Sequence, residues 1–275
     1  MAIDLHIHTT ASDGDIEPAT IVKMATAAGL ETIALADHET TSGFEPACQA
    51  GFLYGVKVIP AVEILTYYKD LEIHILGYFN DPNNKSLQKE LAGLRSRRTA
   101  CTKATVKKLR EFGFDISWPD VRRLAQKDCC ISKGHIIQAI NNAGYIRNRS
   151  DAIEILKRYL NREGLAYTCH TYPFQHAVDL IKTAGGIPVL AHPGLVRDDD
   201  IVEDLCSMGV EGIEVYYHYF GPQKEERIAR YNKLAEEKSL LKTGGSDYHG
   251  TYTPVRLGDN HVPFEEVIEF LKLFE

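Results

Sequence analysis

The sequence predicts an α/β fold built on a largely parallel sheet and interrupted by one all-helical insertion. Short apolar runs alternate with helical patterns through residues 1–85 and 171–275. That alternation stops in residues 86–170, where Lys, Arg and Leu recur at helical spacing. Because strand–helix–strand connections place their strands parallel, the alternating parts predict a parallel sheet, closed or open. Residues 86–170 are predicted to form a helical insertion that helps to shape the substrate pocket.

Seven apolar runs are predicted as strands, in chain order Ile3–Ile7, Thr32–Ala36, Lys57–Glu63, Glu72–Tyr78, Ile187–Ala191, Gly212–Tyr216 and Leu240–Gly244. Helical patterns precede four of them, over Pro18–Ala28, Thr41–Tyr54, Asp198–Met208 and Pro222–Glu237. The fourth run follows Glu63 too closely for a helical crossover, so we expect it to pair antiparallel with the third. Inside the insertion, helices are predicted over 86–112, 118–126, 133–143 and 150–161.

Composition narrows the class of protein. The chain has 275 residues, 44% of them hydrophobic, and a net charge of -7. This negative net charge disfavours broad electrostatic binding of nucleic acid and is compatible only with a local basic patch. No apolar run approaches the roughly 20 residues of a membrane span, and no secretory signal is visible. We expect a cytoplasmic protein without membrane association, and nothing in the sequence indicates a stable protein partner.

The first predicted strand ends with two histidines, His6 and His8. Side chains two residues apart leave a strand on the same face, so both imidazoles are expected to point at one place. Asp13 follows in a Ser-Asp-Gly turn, which can bring its carboxylate back toward them. This arrangement is an economical beginning for a metal site.

Polar residues recur at or near the ends of the other predicted strands. They are Asp37 and His38 after the second, Glu63 at the end of the third, His74 in the fourth, His192 after the fifth, and Asp247 and His249 after the last. Barrel enzymes place their chemistry at these carboxyl ends. Taken alone, each residue is better explained as an ordinary core or surface group than as a metal ligand. Asp37 alone is explained as a helix cap or as a partner that orients a ligand. Their coincidence favours a site for divalent Mn, Zn or Fe.

Four separated segments carry a resemblance to a known family. His6-x-His8, Asp37-His38, Ala191-His192-Pro193 and Ser246-Asp247-x-His249 resemble the four motifs of the polymerase and histidinol phosphatase (PHP) family. The resemblance implies a distorted (β/α)7, TIM-like barrel with two or three divalent metal ions. It is strongest to stand-alone bacterial phosphoesterases with a helical insertion. Some of these act on nucleoside 3',5'-bisphosphates or short RNA 5' ends, and others on cyclic ribose phosphates.

Carried over to this sequence, the family pattern implies three metal positions that share one carboxylate. Their ligands would be His6, His8, Glu63 and Asp247 for the first, Glu63, His74 and His192 for the second, and Asp13, His38 and His249 for the third. A water between two metals loses a proton near neutral pH and becomes a hydroxide nucleophile. We therefore expect a hydrolase that acts on phosphoric esters through a metal-bridging hydroxide.

Other residues are candidates for catalysis and substrate binding. His218, in Val-Tyr-Tyr-His, is the candidate general acid or phosphate contact, although it could equally be an ordinary surface imidazole. Asp37 is the second candidate for a catalytic residue. Lys133, Arg149 and Arg197 are the candidate phosphate-binding residues. Lys133-Gly134-His135 stands where the relatives commonly have Arg-Pro-His, and lysine offers a point charge in place of a two-pronged contact.

Two alternatives to a nucleotide or sugar-phosphate phosphoesterase stay open. One is a histidinol-phosphate phosphatase, which uses the same metal set but needs a pocket for an amino alcohol with an imidazole. The other is a non-catalytic, metal-bearing nucleic-acid module. Against the second, the chain keeps all nine ligand positions, whereas degenerate modules usually lack some of them.

Overall fold

Seven strands form one sheet whose spatial order follows the chain. The computed structural model describes residues 1–126, 129–161, 163–168 and 172–275. The strands are β1 Ala2–Ile7, β2 Leu30–Leu35, β3 Lys57–Tyr68, β4 Leu71–Tyr78, β5 Ile187–Leu190, β6 Gly212–Tyr217 and β7 Leu241–Gly245. Neighbouring strands are parallel except that β4 is antiparallel to both β3 and β5. The predicted antiparallel fourth strand is therefore confirmed.

The sheet curls into a nearly closed barrel because β1 meets the segment that follows β7. The Asp247 amide donates to the His6 carbonyl at 2.9 Å, and the His8 amide donates to the Tyr248 carbonyl at 2.9 Å. Gly245 permits this approach, since a Cβ at that position would overlap the backbone of His6. The closure brings the first and last metal-binding motifs side by side, and the predicted α/β barrel is confirmed.

Ten α-helices accompany the sheet in the described part of the chain. They are α1 Pro18–Ala27, α2 Phe44–Tyr54, α3 Lys85–Glu111, α4 Trp118–Leu124, α5 Lys133–Asn142, α6 Arg149–Ile155, α7 Phe174–Thr183, α8 Asp199–Cys206, α9 Lys224–Glu237 and α10 Phe264–Leu271. Short helical turns follow over Leu156–Leu160, Pro193–Leu195 and Lys272–Phe274. Apolar residues at helical spacing bury one face, as in α7 with Phe174, Ala177, Val178 and Ile181. None of these helices combines the length and apolar character that crossing a membrane requires.

The third strand is longer than predicted. The expectation that it ends at Glu63 is wrong, because β3 continues to Tyr68 and turns into β4 through Lys69 and Asp70, both with positive φ. The ladder with β2 stops at Pro60, and beyond it β3 pairs continuously with β4 and has only isolated bridges to His38 and Pro173 on its other side. Glu63 therefore lies within a strand yet still at the mouth of the barrel, where it bridges to His38.

The helices between β4 and α7 have a hydrophobic core of their own. Val106, Leu109, Val121, Ile136 and Ile140 are among its buried members. The first half of α3 belongs instead to the barrel core, into which it inserts its leucines, Leu87, Leu91 and Leu94. Because α3 packs on both cores, the predicted division at residue 86 stays a prediction, and the one at residue 170 lies outside the described residues.

A buried ion pair locks the insertion to the barrel. Arg98 of α3 donates to both carboxylate oxygens of Glu39, at 2.7 and 2.9 Å. Glu39 directly follows His38, and it also accepts from the amide of Leu65 at 3.0 Å. Both charged side chains are buried, Glu39 completely and Arg98 to within 6% exposure. The loop that carries His38 therefore depends on a charge supplied by the insertion.

Removing one partner of this pair should destabilise the whole protein. Replacing Arg98 by Met leaves the Glu39 carboxylate buried without a countercharge, so we expect a loss of about 3–5 kcal/mol in the free energy of unfolding. Urea denaturation followed by circular dichroism measures this loss. The double variant Arg98→Met with Glu39→Gln should recover a large part of it. A single variant as stable as wild type would show that the pair does not hold the two parts together.

Candidate metal centre

All nine predicted ligand residues converge at the mouth of the barrel. They fall into three overlapping groups, and within each group the candidate ligand atoms lie within 4.8 Å of one another. The groups are His6, His8, Glu63 and Asp247; Glu63, His74 and His192; and His8, Asp13, His38 and His249. The structure differs from the predicted sets only in that His8 also borders the third.

The first group has the spacing of a tetrahedral metal site. His6 Nε2 and His8 Nε2 lie 3.2 Å apart, and they lie 3.4 and 3.2 Å from Asp247 Oδ1. Glu63 Oε2 lies 3.3 Å from His8 Nε2 and 3.7 Å from His6 Nε2. A tetrahedral ion with ligands at about 2.0–2.1 Å separates them from one another by about 3.3 Å. The four atoms are therefore placed to surround one ion.

Glu63 turns its two oxygens to different groups. Its Oε1 lies 2.7 Å from His74 Nδ1 and 3.0 Å from His192 Nε2, which completes the second group. Its Oε2 belongs to the first group and also lies 3.1 Å from His38 Nδ1. A carboxylate divided in this way can bridge two ions.

The third group forms around Asp13. Asp13 Oδ1 lies 3.6 Å from His249 Nε2 and 3.8 Å from His8 Nδ1, and Oδ2 lies 3.8 Å from His38 Nε2. The insertion holds this carboxylate from the other side, because the Ser132 hydroxyl at the start of α5 donates to Oδ2. Gly134 makes the close approach possible, since a Cβ there would collide with Asp13.

Three buried ligand atoms lack a hydrogen-bond partner among the described residues. They are Asp13 Oδ1, Asp247 Oδ1 and His38 Nδ1. An unsatisfied buried polar atom costs about 1–3 kcal/mol, so native proteins rarely keep several together without a use for them. Imidazole nitrogens and carboxylate oxygens without thiolates form a donor set that fits a divalent ion of the Mn, Fe or Zn type.

Burial and the neighbouring charges set the protonation of the site. Burial disfavours a charged imidazole, but the carboxylates of Asp247 and Glu63 beside its Nε2 outweigh this effect and raise the pKa of His8 to about 10. Against the same opposing burial, Glu63 raises the pKa of His74 to about 9. Burial disfavours the Asp13 carboxylate as well, yet the surrounding imidazoles, His38 first, hold its pKa well below the usual range. In the metal-free protein, protonated imidazoles therefore balance the charge of the buried carboxylates.

Glu214 is a buried carboxylate that the sequence analysis missed. Its Oε1 lies 3.0 Å from His6 Nδ1, and its Oε2 accepts from the His192 amide at 2.8 Å. The first contact turns His6 Nε2 toward the first group, and the second holds His192 at a strained φ of 26°. The available signal was one acidic residue in the otherwise apolar strand Gly-Ile-Glu-Val-Tyr-Tyr.

A second carboxylate supports the second group. Glu72 Oε1 lies 3.5 Å from His74 Nε2, on the ring edge opposite the Nδ1 that faces Glu63. Lys133 of the insertion lies 3.1 Å from the same oxygen. The Lys133 ammonium is thus paired with a carboxylate next to the metal centre.

Asp37 organises the loop after β1. It accepts from the Thr9 amide and hydroxyl, both at 2.7 Å, and from the Ser12 hydroxyl at 2.6 Å. Burial raises the pKa of its carboxyl group. The hydrogen bonds connect the end of β2 to the loop that carries Asp13, and the structure shows no capping bond from Asp37 to α2.

Tyr217, which the sequence did not single out, lies at the site, and the catalytic role of its neighbour His218 stays a prediction. The Tyr217 hydroxyl donates to Asp247 Oδ2 at 2.9 Å, and the Tyr217 ring lies edge-on to His192. Strict alternation along β6 would put Glu214 and His218 on one face. A bulge between Glu214 and Tyr216 shifts the register, so that Glu214 and Tyr217 both turn toward the site. His218 packs edge-on against Phe220, with 4.7 Å between ring centroids.

The remaining predicted phosphate contacts are less well placed. Arg197 is exposed, at a positive φ of 59° in the loop after His192. Arg149 begins α6, but its side chain lies outside the described residues. The roles of Lys133, Arg149 and Arg197 in phosphate binding stay predictions.

Comparisons with known proteins agree with this geometry. The PHP-domain family model matches residues 4–166. A phosphoribosyl 1,2-cyclic phosphate 1,2-diphosphodiesterase from Eggerthella lenta is 30% identical over 256 residues, 92% of this chain and 95% of the relative. The 5'-3' exoribonuclease Rnm of Salmonella typhimurium is 30% identical over 265 residues, 93% of this chain and 87% of the relative.

A solved structure extends the likeness to the fold. A Bifidobacterium adolescentis protein described as a metal-dependent phosphoesterase superposes with a TM-score of 0.86 at 31% identity, over 98% of this chain and 95% of that one. This chain therefore belongs to the PHP family. The predicted family is confirmed, and so is the predicted enzyme class, a hydrolase of phosphoric esters.

Changing Glu214 to Gln should weaken metal binding without changing any ligand. The amide keeps one acceptor oxygen but turns an NH2 group toward the His6 ring or the His192 amide, both of which donate. We expect metal affinity to fall about 10–100-fold, measured by competition with a chelator. The matched control is Glu211→Gln, at an exposed carboxylate just before β6 that pairs with Lys182. Equal affinity in the Glu214 variant and wild type would contradict a positioning role.

Metal binding should release protons and strengthen as pH rises. With pKa values of about 10 and 9, His8 and His74 are imidazolium ions at pH 7.5 in the metal-free protein. Metal coordination requires neutral imidazole, so each ion displaces protons. Calorimetric titration with Mn²⁺ at pH 7.5, in two buffers of different ionisation enthalpy, counts these protons. Heats that do not depend on the buffer, or affinity that is constant from pH 6 to 9, would refute the expectation.

Proposed function

We propose that this chain is a metal-dependent phosphoesterase that hydrolyses a phosphate ester of a nucleotide or a sugar phosphate. The observation that carries the proposal is Glu63, whose two oxygens face two different groups of imidazoles at the barrel mouth. Shared carboxylates of this kind are typical of centres that hold two ions a few ångströms apart. The activities named for the two relatives, both acting on phosphate esters, support it.

The nine ligand residues would hold two or three divalent ions. His6, His8, Glu63 and Asp247 would hold the first, Glu63, His74 and His192 the second, and Asp13, His38 and His249 the third. Divalent ions in such a site lower the pKa of water to supply a hydroxide nucleophile, and they neutralise charge on the phosphate oxygens. Three carboxylates are too few to cancel the charge of the ions, so the occupied site would attract a phosphate.

The residues around the ligands prepare the site for that chemistry. Glu214 and Glu72 fix the orientation of His6 and His74, so that these ligands need no rearrangement. Tyr217 holds Asp247 through a hydroxyl whose pKa is raised well above the usual range, first by burial and then by that carboxylate. Asp37 acts as a positioning residue for the loop of Asp13, rather than as a group that touches substrate.

The residues predicted from the sequence remain the candidates for protonating the leaving oxygen and for binding further phosphates of the substrate. His218 lies one residue beyond Tyr217 at the end of β6 and stays the predicted acid. Lys133 could reach a substrate phosphate only by dividing its charge between that group and Glu72. This competition favours a substrate whose main negative charge is at the metal centre itself.

A substrate panel tests the proposal. The metal-depleted protein is reloaded with Mn²⁺ and assayed on a nucleoside 3',5'-bisphosphate, a cyclic ribose phosphate, a 5'-phosphorylated RNA oligonucleotide, a simple phosphomonoester and histidinol phosphate. We expect hydrolysis of at least one of the first three, abolished by a chelator and restored by metal. Preference for histidinol phosphate would favour the alternative enzyme. Inactivity on the whole panel with metal bound would favour the non-catalytic module.

Removing a ligand of the third group should separate catalysis from folding. Asp13→Asn keeps the size of the side chain but loses the charge that faces three imidazoles. We expect turnover to fall by about 100-fold or more and the chain to bind fewer metal ions, measured by steady-state kinetics and elemental analysis. The control Asp15→Asn changes a carboxylate of the same loop that binds Thr251 instead. Wild-type turnover in the Asp13 variant would show that the third group is dispensable.

A further inference from the structure

The third group of ligands depends on a single carboxylate, that of Asp13. Its other members are the imidazoles of His8, His38 and His249. The first group, by contrast, has two carboxylates, Glu63 and Asp247. An imidazole that binds a metal ion is neutral. The position of Asp13 therefore decides whether a divalent ion meets a negative charge in the third group.

Helix α5 of the insertion holds Asp13 at two places. The Ser132 hydroxyl, at the start of the helix, donates to Asp13 Oδ2 and accepts from the Gly134 amide at 3.1 Å. Its single proton is thus committed to the carboxylate. Farther along the helix, Gln138 Nε2 donates to the Asp13 carbonyl at 3.0 Å. With Oδ2 held, Oδ1 is left toward the imidazoles, and it has no hydrogen-bond partner among the described residues.

The start of α5 leaves this contact no slack. Ser132 and His135 are buried, at 0% and 1% exposure. His135 Nδ1 accepts from the Ser132 amide at 3.2 Å, and the same ring hydrogen-bonds the backbone of Ser12, the residue before Asp13. Gly134 lies so close to the Asp13 side chain that a Cβ would overlap it. A displacement of α5 must therefore displace Asp13.

The other two groups depend less on the insertion. The first group is held from β6, by Glu214 and Tyr217, and no described hydrogen bond joins its ligands to the insertion. The second group meets the insertion one residue removed, where Glu72 lies between Lys133 and the ligand His74. In the described part of the chain, direct hydrogen bonds from the insertion to a ligand are thus confined to the third group.

We propose that Ser132 and Gln138 are positioning residues that build the third metal position, so that an ion binds there only when α5 is docked against the loop of Asp13. The barrel would then supply two metal positions and the insertion would complete the third. This inference rests on the proposed function and adds to it that the insertion controls how many ions the centre holds. The coupling is reciprocal, so the third ion must stabilise the docked α5 by as much as α5 stabilises the ion.

Two variants displace Asp13 by different means. Ser132→Ala removes the hydroxyl that holds Oδ2, and with it the cap of α5. Gly134→Ala keeps the hydroxyl and favours the helix, but its Cβ would displace the Asp13 carboxylate. In both variants, we expect affinity for the last of three Mn²⁺ ions to fall about 10–100-fold, while the first two affinities stay within twofold of wild type. Competition with chelators of graded affinity, with the bound Mn²⁺ counted by elemental analysis, measures these affinities.

Matched controls separate the contact from general effects on the insertion. Ser117→Ala removes the cap of α4, whose hydroxyl takes part in the same type of capping box. Gly93→Ala adds a Cβ to α3 where it meets open space. Both controls should keep all three Mn²⁺ affinities within twofold of wild type. A loss in Ser117→Ala as large as that in Ser132→Ala would assign the effect to insertion stability and overturn the proposal.

Three further outcomes would also overturn it. One is a wild type that binds only two ions. The second is unchanged metal binding in both α5 variants. The third is a loss in Ser132→Ala that Gly134→Ala does not share, because the loss would then follow the cap of α5 rather than the position of Asp13.

Hydrogen exchange tests the reciprocal effect of the ion on α5. Saturating Mn²⁺ should slow exchange of the α5 amides in wild type at least tenfold and leave those of α4 within twofold. Asp13→Asn, which removes the charge of the third group, should abolish the slowing. Exchange in α5 that does not respond to Mn²⁺ in wild type would refute the coupling.

Metal counting and hydrogen exchange do not depend on turnover, so the two proposals fail separately. A wild type that hydrolyses none of the esters, but whose third ion is lost in both α5 variants, would refute the enzyme and keep the role of α5. An active enzyme with unchanged metal binding in both variants would refute the role of α5 and leave the phosphoesterase intact.

Discussion

The burial of Glu63 among five imidazoles is the constraint on which the barrel mouth depends. One carboxylate lies within 3.7 Å of nitrogens from His6, His8, His38, His74 and His192, and its side chain is 2% exposed. A buried charge is tolerated only with such partners. Residues from β1, β3 and β4 and from the loops after β1, β2 and β5 must therefore meet at the same place, which constrains the closure of the sheet and the hairpin of β3 and β4. The same arrangement that satisfies Glu63 leaves Asp13 and Asp247 each with an open oxygen for an ion.

The insertion is part of this centre rather than an appendage. Its own hydrophobic core makes it a compact unit, but it contacts the metal-binding loops with polar groups: Arg98 pairs with Glu39, and Ser132 with Asp13. Such contacts couple the positions of the ligands to the position of α3 and α5.

Prediction from the sequence succeeded where the signal was local. His6 and His8 share a strand face by simple alternation, and the apolar runs around them identify the strand. It failed where the register changes. The sequence predicts an end of β3 at Glu63, whereas the strand runs on to Tyr68, and nothing local indicates the bulge after Glu214 that turns Tyr217 toward the site. The role of His218 stays a prediction.

The sequence by itself determined the α/β class and the antiparallel fourth strand, because both depend on periodicity and on the length of the connections. It also supplied nine candidate ligands, through residue types near strand ends and through the resemblance to the PHP family. Only the tertiary structure decided which oxygen of Glu63 faces which group, and that Glu214 holds His6 and His192 from positions 208 and 22 residues away in the chain. Contacts over such distances leave no periodic trace in the sequence. They follow from how the strands twist, bulge and close, and that geometry is settled only when the whole barrel packs.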